Sequence, residues 1–222
     1  MVRFRSLRSL IARDTTAIAR AGQGGCGQRR CGIHANLGAY LSTCHRLYSV
    51  TLPDWRPAAQ HPQLPASPLS DWLQSEGSLT RRLTAAGDQD FRVELLNQGK
   101  QPARSDEAQA LGILAGRPVW VREVLLHTAG APRVFARSVA PLEVLEDSGV
   151  DLANLGTRSL GELLFNDARI ARGPIEVSVY PSEWLPTAWR TEGLWARRSC
   201  FGAGHLQLLV CEVFLDGWPP AG

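Results

Sequence analysis

Near its C-terminal end the chain reads LQLLVCEVFLDG, from Leu206 to Gly217, with Glu212 alone in the middle of an apolar run. A bare charge inside a buried strand costs several kcal/mol unless it is paired, protonated or put to use. The stretch VWVREVLL, from Val119 to Leu126, sets the same problem with the opposite sign at Arg122. Any fold of this chain has to accommodate both groups. Alternate strand residues share a face, so Arg122 sides with Trp120, Val124 and Leu126, and Glu123 points the other way. Glu212 sides with Leu208, Val210 and Phe214, while Leu209, Cys211, Val213 and Leu215 form the opposite face. Both faces of the last strand are apolar, which predicts a central strand covered on both sides.

Two accounts of the charges are open from the pattern. In the first, they form an internal salt bridge, with each other or with Glu123, Arg197 or Arg198. In the second, they close the two ends of a small apolar chamber. Such a chamber complements a flat ring with a carboxylate at one end and a hydroxyl opposite, the arginine gripping the carboxylate in a bidentate pair. Periodicity does not choose between them.

The organisation along the chain narrows the fold. LPDWRPAAQHPQLPASPLSDW is an extended, proline-rich lead-in. SPLSDWLQSEGSLTRRLTAAG predicts two short helices, the first broken at Gly77, the second capped by Ser78 and ended by Gly87. FRVELLN, Phe91 to Asn97, alternates as a strand, and SDEAQALG is a helical turn. RPVWVREVLLHTAGAPRVFARSVAP is a hairpin turning at Thr128–Pro132. Pro141 suits the first turn of a helix through LEVLEDSG, and SLGELLFND is a further helix. RGPIEVSVY, GLWARRSCF and HLQLLVCEVFL are three more strands. Six strands, a hairpin and short helices clustered between strand groups predict an α+β fold with an antiparallel sheet over a doubly wound α/β fold.

Charge separates the ends of the chain. Residues 1–48 hold eight arginines against Asp14, leaving 16 basic and 20 acidic side chains in the remainder. The body is therefore mildly acidic, which argues against a nucleic-acid footprint on the fold. Residues 1–48 read as a basic, disordered extension before a folded domain at 49–222, although MVRFRSLRSLIAR superficially matches an organelle transit peptide. Cys26, Cys31, His34, Cys44 and His45 fit no common zinc spacing. Five cysteines without a dense framework suggest free thiols in a reducing compartment. No run reaches the roughly 18 apolar residues of a spanning helix, so no membrane insertion is expected, and a monomer is favoured.

SLTRRL, VWVREVLL, SLGELLF, GLWARRS and LLVCEVFL, in that order, resemble chorismate pyruvate-lyase, the family that splits chorismate into 4-hydroxybenzoate and pyruvate. The resemblance covers Trp55 to Leu215. It implies a six-stranded antiparallel sheet with the aromatic product in an internal cavity under two helical flaps. It also implies a cytoplasmic enzyme without cofactor or metal, with chorismate as substrate and a product that feeds ubiquinone biosynthesis. By position, Arg122 matches the family's carboxylate-binding arginine and Glu212 its essential glutamate. Leu79 and Leu160 match ligand contacts from the two flaps, and Arg197 and Arg198 fall on an Arg-Arg pair. The segment SVYPSEWLPTAWRTE, residues 178–192, is longer than the family pattern and suggests a loop able to alter a cavity entrance. A carboxyl in apolar surroundings would have its pKa raised, suiting Glu212 to acid or base work. The competing function is a non-catalytic effector domain that senses small carboxylates, as in related transcription regulators, but residues 1–66 show no helix-turn-helix pattern. The 3-hydroxy isomer of the product stays open.

Overall fold

One long ladder of the fold is a hairpin whose turn is written in two residues. Ala129 and Gly130 both have positive φ, 49° and 72°, the backbone a tight two-residue hairpin requires. Glycine adopts it without strain and alanine tolerates it at some cost. In the computed structural model, which describes residues 52–147, 152 and 154–219, this turn joins two eleven-residue strands.

In chain order the strands are β1 (Arg56–Pro57), β2 (Phe91–Pro102), β3 (Pro118–Thr128), β4 (Ala131–Pro141), β5 (Ala171–Arg172), β6 (Glu176–Val179), β7 (Trp195–Ala203) and β8 (Leu206–Phe214). The helices are α1 (Leu69–Leu73), α2 (Leu79–Ala86), α3 (Ser105–Leu111), α4 (Leu142–Asp147) and α5 (Leu160–Asn166). All strand pairs are antiparallel, in the order β1-β6-β7-β8-β4-β3-β2, with β5 paired to β7. The α+β fold expected from the sequence is the one found. Its six expected strands are those of four or more residues, and β1 and β5 are two-residue additions.

The helix signals held locally. Ser78 caps α2 by accepting a hydrogen bond from the Arg81 amide, and Gly87 ends it. Pro141 closes β4, and α4 starts one residue later. β2 runs five residues past the expected Asn97, through the polar stretch QGKQP, because the long backbone of β3 offers it a ladder out to Pro102–Pro118. A bulge between Leu95 and Asn97 absorbs the change of register.

Period-2 alternation sorts the core onto two faces. One face carries Val124, Leu126, Val134, Ala136 and Phe214, packed against Trp72, Leu73, Leu79 and Leu83 of α1 and α2. Leu160 and Leu164 of α5 pack beside them on Trp120, Phe201 and Leu208. On the other face, α3 covers Val119, Val121, Val139 and Leu209. The rest of that face, Leu125, Phe135, Cys211 and Val213, lies under Tyr180, Trp184, Leu185, Trp189 and Leu194. Segment 178–192, expected to alter a cavity entrance, is thus the lid of the opposite core. Its apolar side chains find buried surface there at about 1.5–3 kcal/mol each, and none of its residues lines the cavity described below. Expectations for residues 1–48, including their disorder and the cysteine–histidine set, lie outside the described residues. Among the described residues no helix is long and apolar enough to cross a membrane.

Candidate active site

Arg122 and Glu212 share a face of the sheet, with β4 between their strands. Register sets Arg122 opposite Ser138, Val124 opposite Ala136, and Ala136 opposite Glu212. Two strand spacings across and two residues along put the Cα atoms roughly 12 Å apart. Both side chains line one cavity of about 40 Å³, walled by Val93, Val124, Leu126, Ala136 and Ser138 from the sheet and roofed by Leu79, Thr80, Ser159, Leu160 and Gly161. Arg122 and Glu212 are not bridged to each other among the described residues; of the other pairings in the first account, Glu212 with Arg197 is the one found.

The two charges are held very differently. Arg122 is 2% exposed and, among the described residues, has no acidic partner. Its Nη2 donates to the carbonyl oxygens of Gly156 (2.8 Å) and Arg158 (3.1 Å), while its buried Nε has no partner among the described residues. Burial lowers the guanidinium pKa from its usual value, the direction expected of a cation deprived of water and of a counter-charge. A cation in such surroundings favours a neighbouring negative charge. Glu212, by contrast, accepts from Arg197 Nε at 2.6 Å. The carboxyl in purely apolar surroundings expected from the sequence is corrected here: β7 lays Arg197 directly across from it.

Leu79 and Leu160 each open a helix, α2 and α5, and each lines the cavity. The first amides of a helix have no intrahelical acceptor, and in α2 the Ser78 hydroxyl takes that of Arg81. Between the flaps, Thr80 and Ser159 share a hydrogen bond of 2.6 Å and Arg81 donates to Asn166 at 3.1 Å. Outside this seam lies a wider groove of about 560 Å³ that includes Arg81, Arg92 and Arg158.

Arg198, the other half of the Arg-Arg pair, points to the opposite face. It pairs there with Glu176 at 2.8 Å and Asp106 at 3.6 Å, clear of the cavity. Beside it Arg137 is buried between Glu107 (2.6 Å) and Glu123 (2.8 Å), so Glu123 belongs to a structural network. Sequence reasoning left the Arg197–Glu212 partnership as one option among several. A signal was present: a tight turn at Gly204–His205 sets Ala203 against Leu206, and counting back along the hairpin lands Arg197 on Glu212.

A sequence profile described as chorismate lyase matches residues 51–220. The chain belongs to the chorismate lyase family. It is 60% identical over 153 residues to a probable chorismate pyruvate-lyase of Pseudomonas aeruginosa (strain UCBPP-PA14), covering 68% of this chain and 86% of that one. Probable chorismate pyruvate-lyase 2 of Pseudomonas entomophila (strain L48) is 53% identical over 168 residues, 75% of this chain and 91% of its own. Among solved structures, the effector domain of PhnF from Mycobacterium smegmatis aligns with a TM-score of 0.42 at 16% identity, over 65% of this chain and 91% of that one. A likeness that shallow bears on neither fold nor function. The family suggested by the five ordered motifs is therefore the right one.

Proposed function

We propose that this protein is a chorismate pyruvate-lyase whose guest lies between Arg122 and Glu212. The single observation that carries the reading is the buried guanidinium of Arg122, which has no acid of its own among the described residues and lines a cavity that Glu212 lines too. The family's membership and the names of its curated relatives support the same reaction.

In this reading Arg122 and the first amides of α2 and α5 take the ring carboxylate of chorismate, with Leu79 and Leu160 closing over the ring. Glu212 receives the C4 hydroxyl. The hydrogen on C4 leaves as a proton, and its electron pair becomes the third double bond of the ring. The C3–O bond breaks with its pair on the enolpyruvyl oxygen, and the enol takes up a proton at its methylene carbon to become pyruvate. Electrons balance within chorismate itself, so the elimination calls for no external oxidant. Aromatisation makes it downhill, and the protein's contribution is orientation and placed charge.

A cavity of about 40 Å³ has room for roughly three waters, less than a ring bearing two carboxylates needs. Binding therefore parts the Thr80–Ser159 seam, and the arginines of the outer groove draw the dianion toward it. Closure afterwards encloses the product, so release is slow. Supply of 4-hydroxybenzoate to ubiquinone assembly in the cytoplasm is the role that fits this substrate.

The test is chromatography of the aromatic product after incubation with chorismate. Formation of 4-hydroxybenzoate and pyruvate in equal amounts is expected. Binding of chorismate without conversion would replace the enzyme with a sensor.

A further inference from the structure

Glu212 is built to be held by a residue that never meets the cavity. Cross-strand register places Arg197 of β7 opposite Glu212 of β8, with Nε 2.6 Å from Oε2. Arg197 is 1% exposed. Its Nη1 donates to the carbonyl oxygens of Trp72 (2.8 Å) and Ser75 (2.7 Å), at and just beyond the last turn of α1. A guanidinium presents its donors in one rigid plane, so three bonds to three fixed acceptors leave it one orientation. Glu212 lines the cavity, and Arg197 does not.

Resting on the lyase reading, we propose that Arg197 is a positioning residue for the reaction: it fixes Glu212 as a carboxylate with one oxygen engaged, leaving the other to accept at the substrate's C4 hydroxyl. The surrounding charges act in the same sense. Arg172 of β5 donates to Ser199 Oγ (3.0 Å) and to the carbonyl of Glu76 (2.9 Å), and it is close enough to interact with both Arg197 and Glu212. Arg82 of α2 interacts with Arg197 and lies 4.0 Å over the Trp72 ring, with Asp71 beside it. Across the cavity stands Arg122. Held this way, Glu212 serves as an acceptor and not as the group that protonates the departing enolpyruvate.

The experiment compares wild type, Arg197→Met, Arg197→Lys, Glu212→Gln and the Arg197→Met/Glu212→Gln double variant in chorismate turnover, with melting curves for each. Loss of a charged hydrogen-bond partner is expected to lower kcat about ten- to a hundred-fold for Arg197→Met, with KM little changed. Arg197→Lys should recover most of the lost kcat. The double variant should be no slower than Glu212→Gln, because two residues acting as a unit are not additive. An unchanged kcat in Arg197→Met, a rise in KM in place of the fall in kcat, or additive losses in the double variant overturns the proposal while the lyase reading stands. Absence of turnover in wild type removes the lyase reading, and this inference with it. If Arg197→Met does not fold, Arg197→Lys decides: a kcat as low as that of Glu212→Gln in this charge-conserving variant overturns the proposal.

Discussion

Replacing Arg122 by methionine separates binding from folding more sharply than any other change in this chain. Methionine keeps most of the buried stem and removes the guanidinium. What the fold loses is the pair of hydrogen bonds from Nη2 to the carbonyls of Gly156 and Arg158. What it gains is relief from burying a cation that has no counter-charge and no Nε partner among the described residues. Bonds from a charged donor contribute about 1.5–3 kcal/mol each, and removal of an unpaired buried charge returns a similar amount. The two effects offset, so the melting temperature is expected to stay within a few degrees of wild type. The ligand has no such offset. Losing two charge-assisted bonds to its ring carboxylate costs about 3–6 kcal/mol, or roughly 10²- to 10⁴-fold in kcat/KM. Scanning calorimetry and chorismate turnover on the same preparations read both quantities. A variant that melts far below wild type yet still binds 4-hydroxybenzoate would show that Arg122 holds the fold, and the anion-receptor argument would be wrong.

Three further outcomes follow from the packing. A Cβ on Gly161 would stand 2.8 Å from Thr80 Oγ1, which is already bonded to Ser159, so Gly161→Ala is expected to wedge the seam between α2 and α5 and shorten product retention. Rapid quench should show a burst of 4-hydroxybenzoate in wild type and a diminished one in the variant; a burst of undiminished size and duration in the variant would count against the seam as the gate. Gly87→Ala would bring its Cβ to 1.9 Å from Thr128 Oγ1 and 2.8 Å from the Ala129 amide nitrogen, and overpacking of this kind costs about 1–3 kcal/mol, seen as a lowered urea midpoint with an unchanged slope. Burial pushes the Cys211 thiol well above its ordinary range, so below that range it stays protonated and unreactive. Peptide mapping after alkylation of native protein should find Cys211 unlabelled, and labelling at the rate of a free thiol would mean the second core is open.

Segment 178–192 shows where sequence reasoning reached its limit. Its tryptophans and prolines marked an inserted, ordered stretch, but which face it covers depends on where the chain leaves β6, and it covers the core opposite the ligand. The same holds for β2, whose polar half has little strand propensity of its own and is extended by its pairing with β3.

Periodicity and local chemistry, legible in the residues themselves, determined the strands, the Ala129–Gly130 turn, the Ser78 cap and the faces on which Arg122 and Glu212 lie. These are properties of neighbours a few residues apart, where backbone sterics and side-chain alternation act directly. Strand order is of another kind. That β4 lies between the two charged strands, setting the cation and the carboxylate on one face of the sheet, is decided by which apolar faces can be buried together. The same ordering brings α1 over β7, where Arg197 reaches its last carbonyls and Glu212 at once. Tertiary packing alone could distinguish a cation held by backbone carbonyls from a carboxylate held by a counter-charge.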